Sequence, residues 1–286
     1  MEKFYIEGGT PISGTLTPSG NKNEALPVLA ATLLTDEPVT LQNVPRIADI
    51  EVMMQLLRSL GVEITEHDRN TITFHAKDLG GGNLDPDLCA LIRASILLAG
   101  PVLARIGEVI LAPPGGDVIG RRRLDTHFQA LSALGTTLDL GKMFVLKSPP
   151  SGLKGADIFL DEQSVTATEN AIMAAVLAKG TTILENAACE PHVQGLCRLL
   201  VAMGASIDGI GTHRLRIEGV DRLRGATYRI SSDYLEIGSF LGLAAVTGGE
   251  LTINDVNMRD MRMIRLVFKK LGIEYEFTDD TTLFLP

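Results

Sequence analysis

The chain has no tryptophan, only 5% aromatic residues and three cysteines. Cys89, Cys189 and Cys197 are odd in number and stand in no C-x-x-C or zinc-ligand spacing, which argues against a disulfide framework and leaves a metal site without support. A reducing cytoplasm fits that usage best. Long apolar runs are also missing. The most apolar stretch, residues 88–106, is broken by Arg93, Pro101 and Arg105, and Met1-Glu2-Lys3-Phe4-Tyr5 enters strand-like sequence with no apolar signal region. No secretion signal and no membrane span are expected. A basic excess is absent too: 26 basic against 35 acidic side chains give a net charge of −9, which argues against a broad nucleic-acid or anionic-membrane surface. A local basic pocket remains compatible.

What is present is apolar content and repetition. With 286 residues and 45% hydrophobic side chains, the chain can bury one large core or two ordinary ones. Small-residue helices recur at 25–34, 171–178 and 240–246, each followed by a strand pattern at 39–41, 181–184 and 250–253. A second, amphipathic helix then ends at Gly61, Gly135, Gly204 and Gly272, which are 74, 69 and 68 residues apart. Glycine just past a helix end adopts the left-handed conformation that stops it, and alternating residues after each stop predict a hairpin. The unit reads strand, helix, strand, helix, strand, strand. Four such units predict an α/β fold of packed repeats, and the strands from Phe4 to Thr17 need a partner sheet elsewhere.

Residues 113–127, PPGGDVIGRRRLDTH, carry the strongest chemical signal. Two prolines and three glycines exclude regular structure through Gly120, leaving a shaped loop with Asp117 near its tip and Arg121, Arg122 and Arg123 just ahead of a helix. Guanidinium forks match phosphate and carboxylate oxygens, although a solvated turn with a charged rim uses the same residues. Ser19-Gly20-Asn21-Lys22-Asn23 leads into a helix near Glu24 to Leu34, whose N-terminus and Lys22 suit an anion or an ordinary polar cap. Arg93 is read on a helix capped around Asp87, among Cys89, Ala90, Ile96 and Leu97. Such an arginine meets either an anionic ligand or a structural carboxylate. Thr166-Ala167-Thr168-Glu169 has capping-box spacing, so Glu162 to Thr166 forms a loop into another helix. Cys189-Glu190-Pro191-His192 lacks a base, an orienting acid or metal spacing and reads as a structural turn. Gly80-Gly81-Gly82 and Gly209-Ile210-Gly211 read as turns, matching no nucleotide fingerprint.

Residues 19–27 (SGNKNEALP), Ile92-Arg93-Ala94-Ser95, residues 114–122 (PGGDVIGRR), Asp125-Thr126-His127 and Glu185-Asn186-Ala187-Ala188 together resemble the enolpyruvyl transferases, over the whole chain. The lysine loop favours the branch with a UDP-sugar acceptor over the shikimate-pathway branch. The resemblance implies an inside-out α/β barrel of βαβαββ units, two domains of three units each, with substrates between them and the glycine loop as a lid. On this pattern residues 22–231 form the first domain, while 1–21 and 232–286 form a second domain with one unit. The implied reaction adds the 3′-hydroxyl of UDP-N-acetylglucosamine to C2 of phosphoenolpyruvate with protonation at C3, then loses phosphate, the first committed step of peptidoglycan synthesis. No cofactor is implied. Lys22, Asn23, Arg93 and Arg122 would hold phosphoenolpyruvate or the reacting centre and Asp117 would supply the proton. Arg122, Arg123, Leu124, Asp125 and Thr126, with Gln163, Ser164 and Val165, would hold the UDP-sugar. The family form is expected to be a monomer, with small molecules as its partners.

Three residues and one length depart from the family pattern. Asp117 stands where most members have cysteine, Arg123 where proline is usual, and Tyr234 where arginine is usual. A carboxylate is a poorer nucleophile than a thiolate, so resistance to the alkylating epoxide fosfomycin is implied. The last two units, with the base toward the sugar hydroxyl and several arginines, are not in this sequence. That leaves the competing reading of a protein that binds the UDP-sugar without turnover, and it predicts self-association through the uncovered helices of the fourth unit.

Overall fold

Alternation of helix and strand signals is realised as repeated βαβαββ units in the computed structural model, which describes residues 3–116, 120 and 123–286. β1 (Gly14–Leu16) precedes the first unit, made of α1 (Lys22–Ala31), β2 (Val39–Gln42), α2 (Ala48–Ser59), β3 (Glu63–Glu66) and β4 (Ile72–His75). In the second come α3 (Pro86–Leu91), a 3-10 segment at Arg93–Leu98, α4 (Ala99–Ile106), β5 (Glu108–Leu111), α5 (Asp125–Ala133), β6 (Thr137–Leu140) and β7 (Phe144–Lys147). Next are β8 (Asp157–Phe159), α6 (Val165–Ala175), β9 (Thr181–Glu185), α7 (Pro191–Ala202), β10 (Ser206–Asp208) and β11 (Arg214–Glu218), followed by β12 (Thr227–Arg229). The fourth unit has α8 (Tyr234–Thr247), β13 (Leu251–Ile253), α9 (Arg262–Lys270), β14 (Glu276–Phe277) and β15 (Leu283–Leu285).

The glycine stops are where the periodicity puts them. Gly61, Gly135, Gly204 and Gly272 follow α2, α5, α7 and α9 with φ of +96°, +100°, +103° and +76°, in the region where a side chain is strained. An antiparallel pair follows each stop: β3 with β4, β6 with β7, β10 with β11, and β14 with β15. The first strand of a unit pairs in parallel and is supplied in three ways. In the third unit β8 joins β9 directly through the α6 crossover. β2 takes β12 from beyond the third unit, and β13 takes β1 from the start of the chain. In the second unit a parallel bridge from Asn83 to Ile110 occupies that place.

The N-terminal strand is shorter than the pattern predicts. Of Phe4 to Thr17 only Gly14–Leu16 is strand, and Phe4, Tyr5 and Ile6 are almost fully exposed. Strand propensity without a ladder partner does not fix an extended conformation.

Contacts divide the chain into two bodies, residues 3–21 with Ser231–Pro286, and Lys22–Ile230. The larger is an inside-out arrangement. Residues Glu24 to Ala31 of α1 and Ala167 to Ala175 of α6 are all buried, whereas strands such as β9 alternate between buried and outward-facing residues. Alanine-rich helices make this possible, because small side chains let α6 pack on α4, α5 and α7 together. The smaller body has its own core of Ile237, Leu241, Ala244, Leu251, Ile253, Val256, Met261, Leu283 and Leu285. Its α9 has no buried residue, with Met263 68% and Leu266 50% exposed.

Amides of α9 should therefore exchange with solvent faster than those of α7 by about two orders of magnitude or more, a gap of about 2.7 kcal/mol in opening free energy. Hydrogen–deuterium exchange read by mass spectrometry tests this. Equal protection of the two helices would mean that α9 is covered in solution.

Candidate active site

Arg93 is the hub of the candidate site, and the structure corrects its local setting. Asp85, not Asp87, caps α3, accepting from the amides of Asp87 and Leu88 at 2.9 and 3.1 Å. The helix stops at Leu91, Ile92 is extended, and Arg93 opens the following 3-10 segment. Tertiary contacts make that break. The Cys89 carbonyl accepts the Gly115 amide at 3.1 Å and the Ser95 hydroxyl at 3.1 Å, leaving it unavailable to continue a helix.

Both flanks of the loop meet Arg93. On entry, Gly115 crosses so close to Ala90 that any side chain would overlap its carbonyl, and a Cβ at Gly116 (φ +88°) would lie 2.9 Å from the Arg93 nitrogen. On exit, the Arg93 Nη2 donates to the Arg123 carbonyl at 3.0 Å. Asp117, Arg121 and Arg122 lie outside the described residues, so the structure shows the two ends of the loop and not its tip.

Among the described residues, Lys22 and Arg123 are held by carboxylates. Lys22 begins α1, two residues before the sequence pattern starts that helix, and pairs with Asp49 on α2. Asn23 is exposed beside it. Arg123 donates from Nε to Asp125 at 2.7 Å and lies 3.8 Å from Asp161, and the Asp125 hydrogen bond raises its pKa further. Exposed pairs of this kind are weak and screened by solvent, so an anionic ligand can displace such a carboxylate at little cost.

The candidate UDP-sugar residues come together at two packed helix starts. Leu124 precedes α5, Asp125 is its first residue, and Thr126 donates to Asp161 at 2.8 Å. Across from it, Ser164 caps α6 by accepting the Ala167 amide at 3.4 Å, Val165 is the first helical residue, and Gln163 donates to the Ala187 carbonyl at 3.1 Å. The capping-box reading is corrected here. Thr166 lies inside the helix, and Glu169 is fully buried, with Oε1 among the buried atoms lacking a hydrogen-bond partner in the described residues. Burial first, then the charge of Glu190, push the Glu169 pKa well up. The Cys189–His192 stretch is a turn that opens α7 at Pro191.

His127 is the residue whose role the site pattern missed. It is buried, with Nε2 3.0 Å from the Thr166 hydroxyl and Nδ1 3.1 Å from the Asn170 amide nitrogen. Asn170 Oδ1 accepts the Gly100 amide at 2.7 Å, so its nitrogen is the donor, and it gives its other hydrogen to the Ile96 carbonyl at 2.7 Å. His127 Nδ1 must therefore accept, and Nε2–H donates to Thr166. Burial, reinforced by the positive charge of Arg93, lowers its pKa to about 3. The one available signal was the histidine of Asp125-Thr126-His127 at an inward position of α5.

A model of the EPSP synthase (3-phosphoshikimate 1-carboxyvinyltransferase) family matches residues 6–285. The chain belongs to the EPSP synthase family. Among its relatives, the UDP-N-acetylglucosamine 1-carboxyvinyltransferase of Treponema denticola is 53% identical over all of this chain and 66% of its own length. The protein of that name from Bradyrhizobium diazoefficiens is 56% identical over 95% of this chain and 62% of its own. The chain thus spans about two thirds of the length of these relatives. The fold matches the enolpyruvyl transferase NikO from Streptomyces tendae with a TM-score of 0.85 at 20% identity, over 98% of this chain and 67% of that one. EPSP synthase from Acinetobacter baumannii matches with a TM-score of 0.75 at 17% identity, over 97% of this chain and 65% of that one. Among the described residues of this family member, no helix is long and apolar enough to cross a membrane and no group of acidic, histidine or cysteine residues could hold a metal ion.

The buried neutral histidine has a pH signature. Its folded pKa lies below the unfolded value of about 6.5, so its contribution to stability is complete above that pH and is lost as pH falls toward 3. Between about pH 6 and about pH 4, urea unfolding of the wild type should lose about 1.4 kcal/mol more per pH unit than His127→Gln. Parallel slopes would show that His127 is not held neutral.

Proposed function

We propose that this chain carries the first-domain machinery for transfer of the enolpyruvyl group from phosphoenolpyruvate to the 3′-hydroxyl of UDP-N-acetylglucosamine, with release of phosphate. The observation that carries the reading is that Arg93 meets both ends of the loop bearing Asp117 and Arg122, so that loop and cation belong to one centre. The names of the relatives at 53% and 56% identity support the same substrates. The three free cysteines are consistent with a cytoplasmic reaction at the start of peptidoglycan synthesis.

In this reading Lys22, Asn23, Arg93 and Arg122 grip the phosphate and carboxylate of phosphoenolpyruvate, where fixed cations stabilise charge in the transition state. The UDP-sugar lies along Arg122 to Thr126 and Gln163 to Val165. The sugar oxygen bonds to C2 as a base supplied by the extended chain takes its hydroxyl proton and Asp117 gives its own proton to C3. The C2–O bond to phosphate then breaks as the Asp117 carboxylate takes a proton back from C3, the double bond returns and phosphate leaves. Arg123, within the UDP-sugar stretch, is paired with Asp125, and Tyr234 is at the start of α8 in the smaller body. The body of residues 3–21 with Ser231–Pro286 corresponds in this reading to the second domain of the family.

Phosphate release from the two substrates together, measured on this chain and on one extended to the length of its relatives, tests the proposal. The extended chain should turn over and Arg93→Ala in it should lose about 10²-fold or more. Binding of the UDP-sugar with no release from either chain would leave only the non-catalytic reading. Asp117→Cys in the extended chain should stay active and acquire time-dependent inactivation by fosfomycin that the aspartate form lacks. Equal inactivation of both forms would remove Asp117 from the loop chemistry.

A further inference from the structure

The first turn of α1 has two faces. Lys22 and Asn23 are exposed, whereas Glu24, two residues on from Lys22, is turned inward and only 1% exposed. A carboxylate in such a place needs partners, since an uncompensated buried charge is costly. Three features supply its seat. It lies near the N-terminus of α1, where backbone amides favour negative charge. The Tyr228 hydroxyl, on β12, donates to Glu24 Oε1 at 2.7 Å. Gly195 in the middle of α7 leaves the space: a Cβ there would fall inside the Glu24 carboxyl group.

Each part is costly on its own terms. Glycine inside a helix is unfavourable relative to alanine, so its presence at 195 calls for a packing reason, and the Glu24 carboxyl is that reason. Tyr228 is half-buried, and burial followed by the adjacent Glu24 charge pushes its pKa well above the ordinary value, with Arg198 pulling the other way. The hydroxyl therefore stays a neutral donor. β12 is the strand that crosses from the end of the third unit to pair with β2, so Glu24 ties the start of α1 to both α7 and the returning strand.

We propose that Glu24, seated on Gly195 and held by Tyr228, is the positioning residue that fixes the orientation of Lys22 and Asn23 toward phosphoenolpyruvate. The proposal rests on the assignment of Lys22 and Asn23 to that substrate. Glu24 touches no substrate itself. It acts by denying the turn any rotation about the α1 axis, and displacement of a binding group by an ångström is enough to lose much of its contribution.

The test uses this chain and four variants, Glu24→Gln, Glu24→Ala, Gly195→Ala and the double variant Glu24→Ala/Gly195→Ala. Calorimetric titration with phosphoenolpyruvate in the presence of UDP-N-acetylglucosamine is combined with melting temperatures and the backbone amide shifts of Lys22 and Asn23. Glu24→Gln keeps the length and an oxygen for Tyr228, so its shifts and affinity should stay within about threefold of wild type. Glu24→Ala and Gly195→Ala should each weaken phosphoenolpyruvate about tenfold or more while UDP-sugar affinity changes less than about twofold. In the double variant the vacated carboxyl space accepts the new methyl. Its melting temperature should recover from that of Gly195→Ala, but its phosphoenolpyruvate affinity should not.

Recovery of both would reduce Glu24 to a packing residue, and wild-type affinity in Glu24→Ala would overturn the proposal outright. If Gly195→Ala does not fold, the Glu24 variants decide alone. If the wild type binds neither substrate, the functional assignment fails and the amide shifts decide the pinning. Shifts that move in Glu24→Ala and stay in Glu24→Gln uphold it, and unmoved shifts in both overturn it.

Discussion

Parallel strand pairing is the constraint on which this architecture depends. A βαβαββ unit pairs its last two strands by a local turn and lays the final one antiparallel to its second, but its first strand must lie parallel to its second, and a parallel neighbour cannot arrive by a tight turn. The third unit supplies its own, from β8 to β9, and the second has a single parallel bridge from Asn83 to Ile110. The first unit borrows β12 and the fourth borrows β1, so the sheets are completed by segments more than a hundred residues away in the chain. Closing β12 on β2 ties the end of the third unit to the beginning of the first. That closure surrounds α1 and α6 with other helices and accounts for their burial along most of their length.

The functional consequence is that several helix starts belong to one body. α1 carries Lys22, the 3-10 segment carries Arg93, and α5 and α6 begin at Asp125 and Val165. Beneath them lie buried polar groups. Asn170 joins Gly100 and Ile96 to His127, which reaches Thr166, while Glu24 joins α1 to Tyr228. Such networks rigidify when satisfied, and here they share one body with Lys22 and Arg93. Two of the cations are paired with carboxylates, Lys22 with the half-buried Asp49 and Arg123 with the exposed Asp125.

Much of this was legible because the responsible physics is local. Left-handed backbone after a helix demands glycine, so Gly61, Gly135, Gly204 and Gly272 announced the period and the hairpins. Proline and glycine in residues 113–116 announced irregular backbone for the same kind of reason. Where reading failed, a distant group had intervened. Arg93 left its helix because Gly115 takes the Cys89 carbonyl. Glu169 matched a capping box yet is buried, and Ser164 caps α6 in place of Thr166. Phe4 to Ile6 had strand propensity but no neighbour to pair with.

The sequence by itself determined the repeat, the class of fold and the family motifs, since each is set by backbone preference or by residues adjacent in the chain. Tertiary structure alone decided which strand completes which sheet, that Arg93 meets both Gly116 and Arg123, that His127 is held neutral, and that Gly195 faces Glu24. Those facts depend on burial and on atoms brought together from far along the chain. No window of residues contains them.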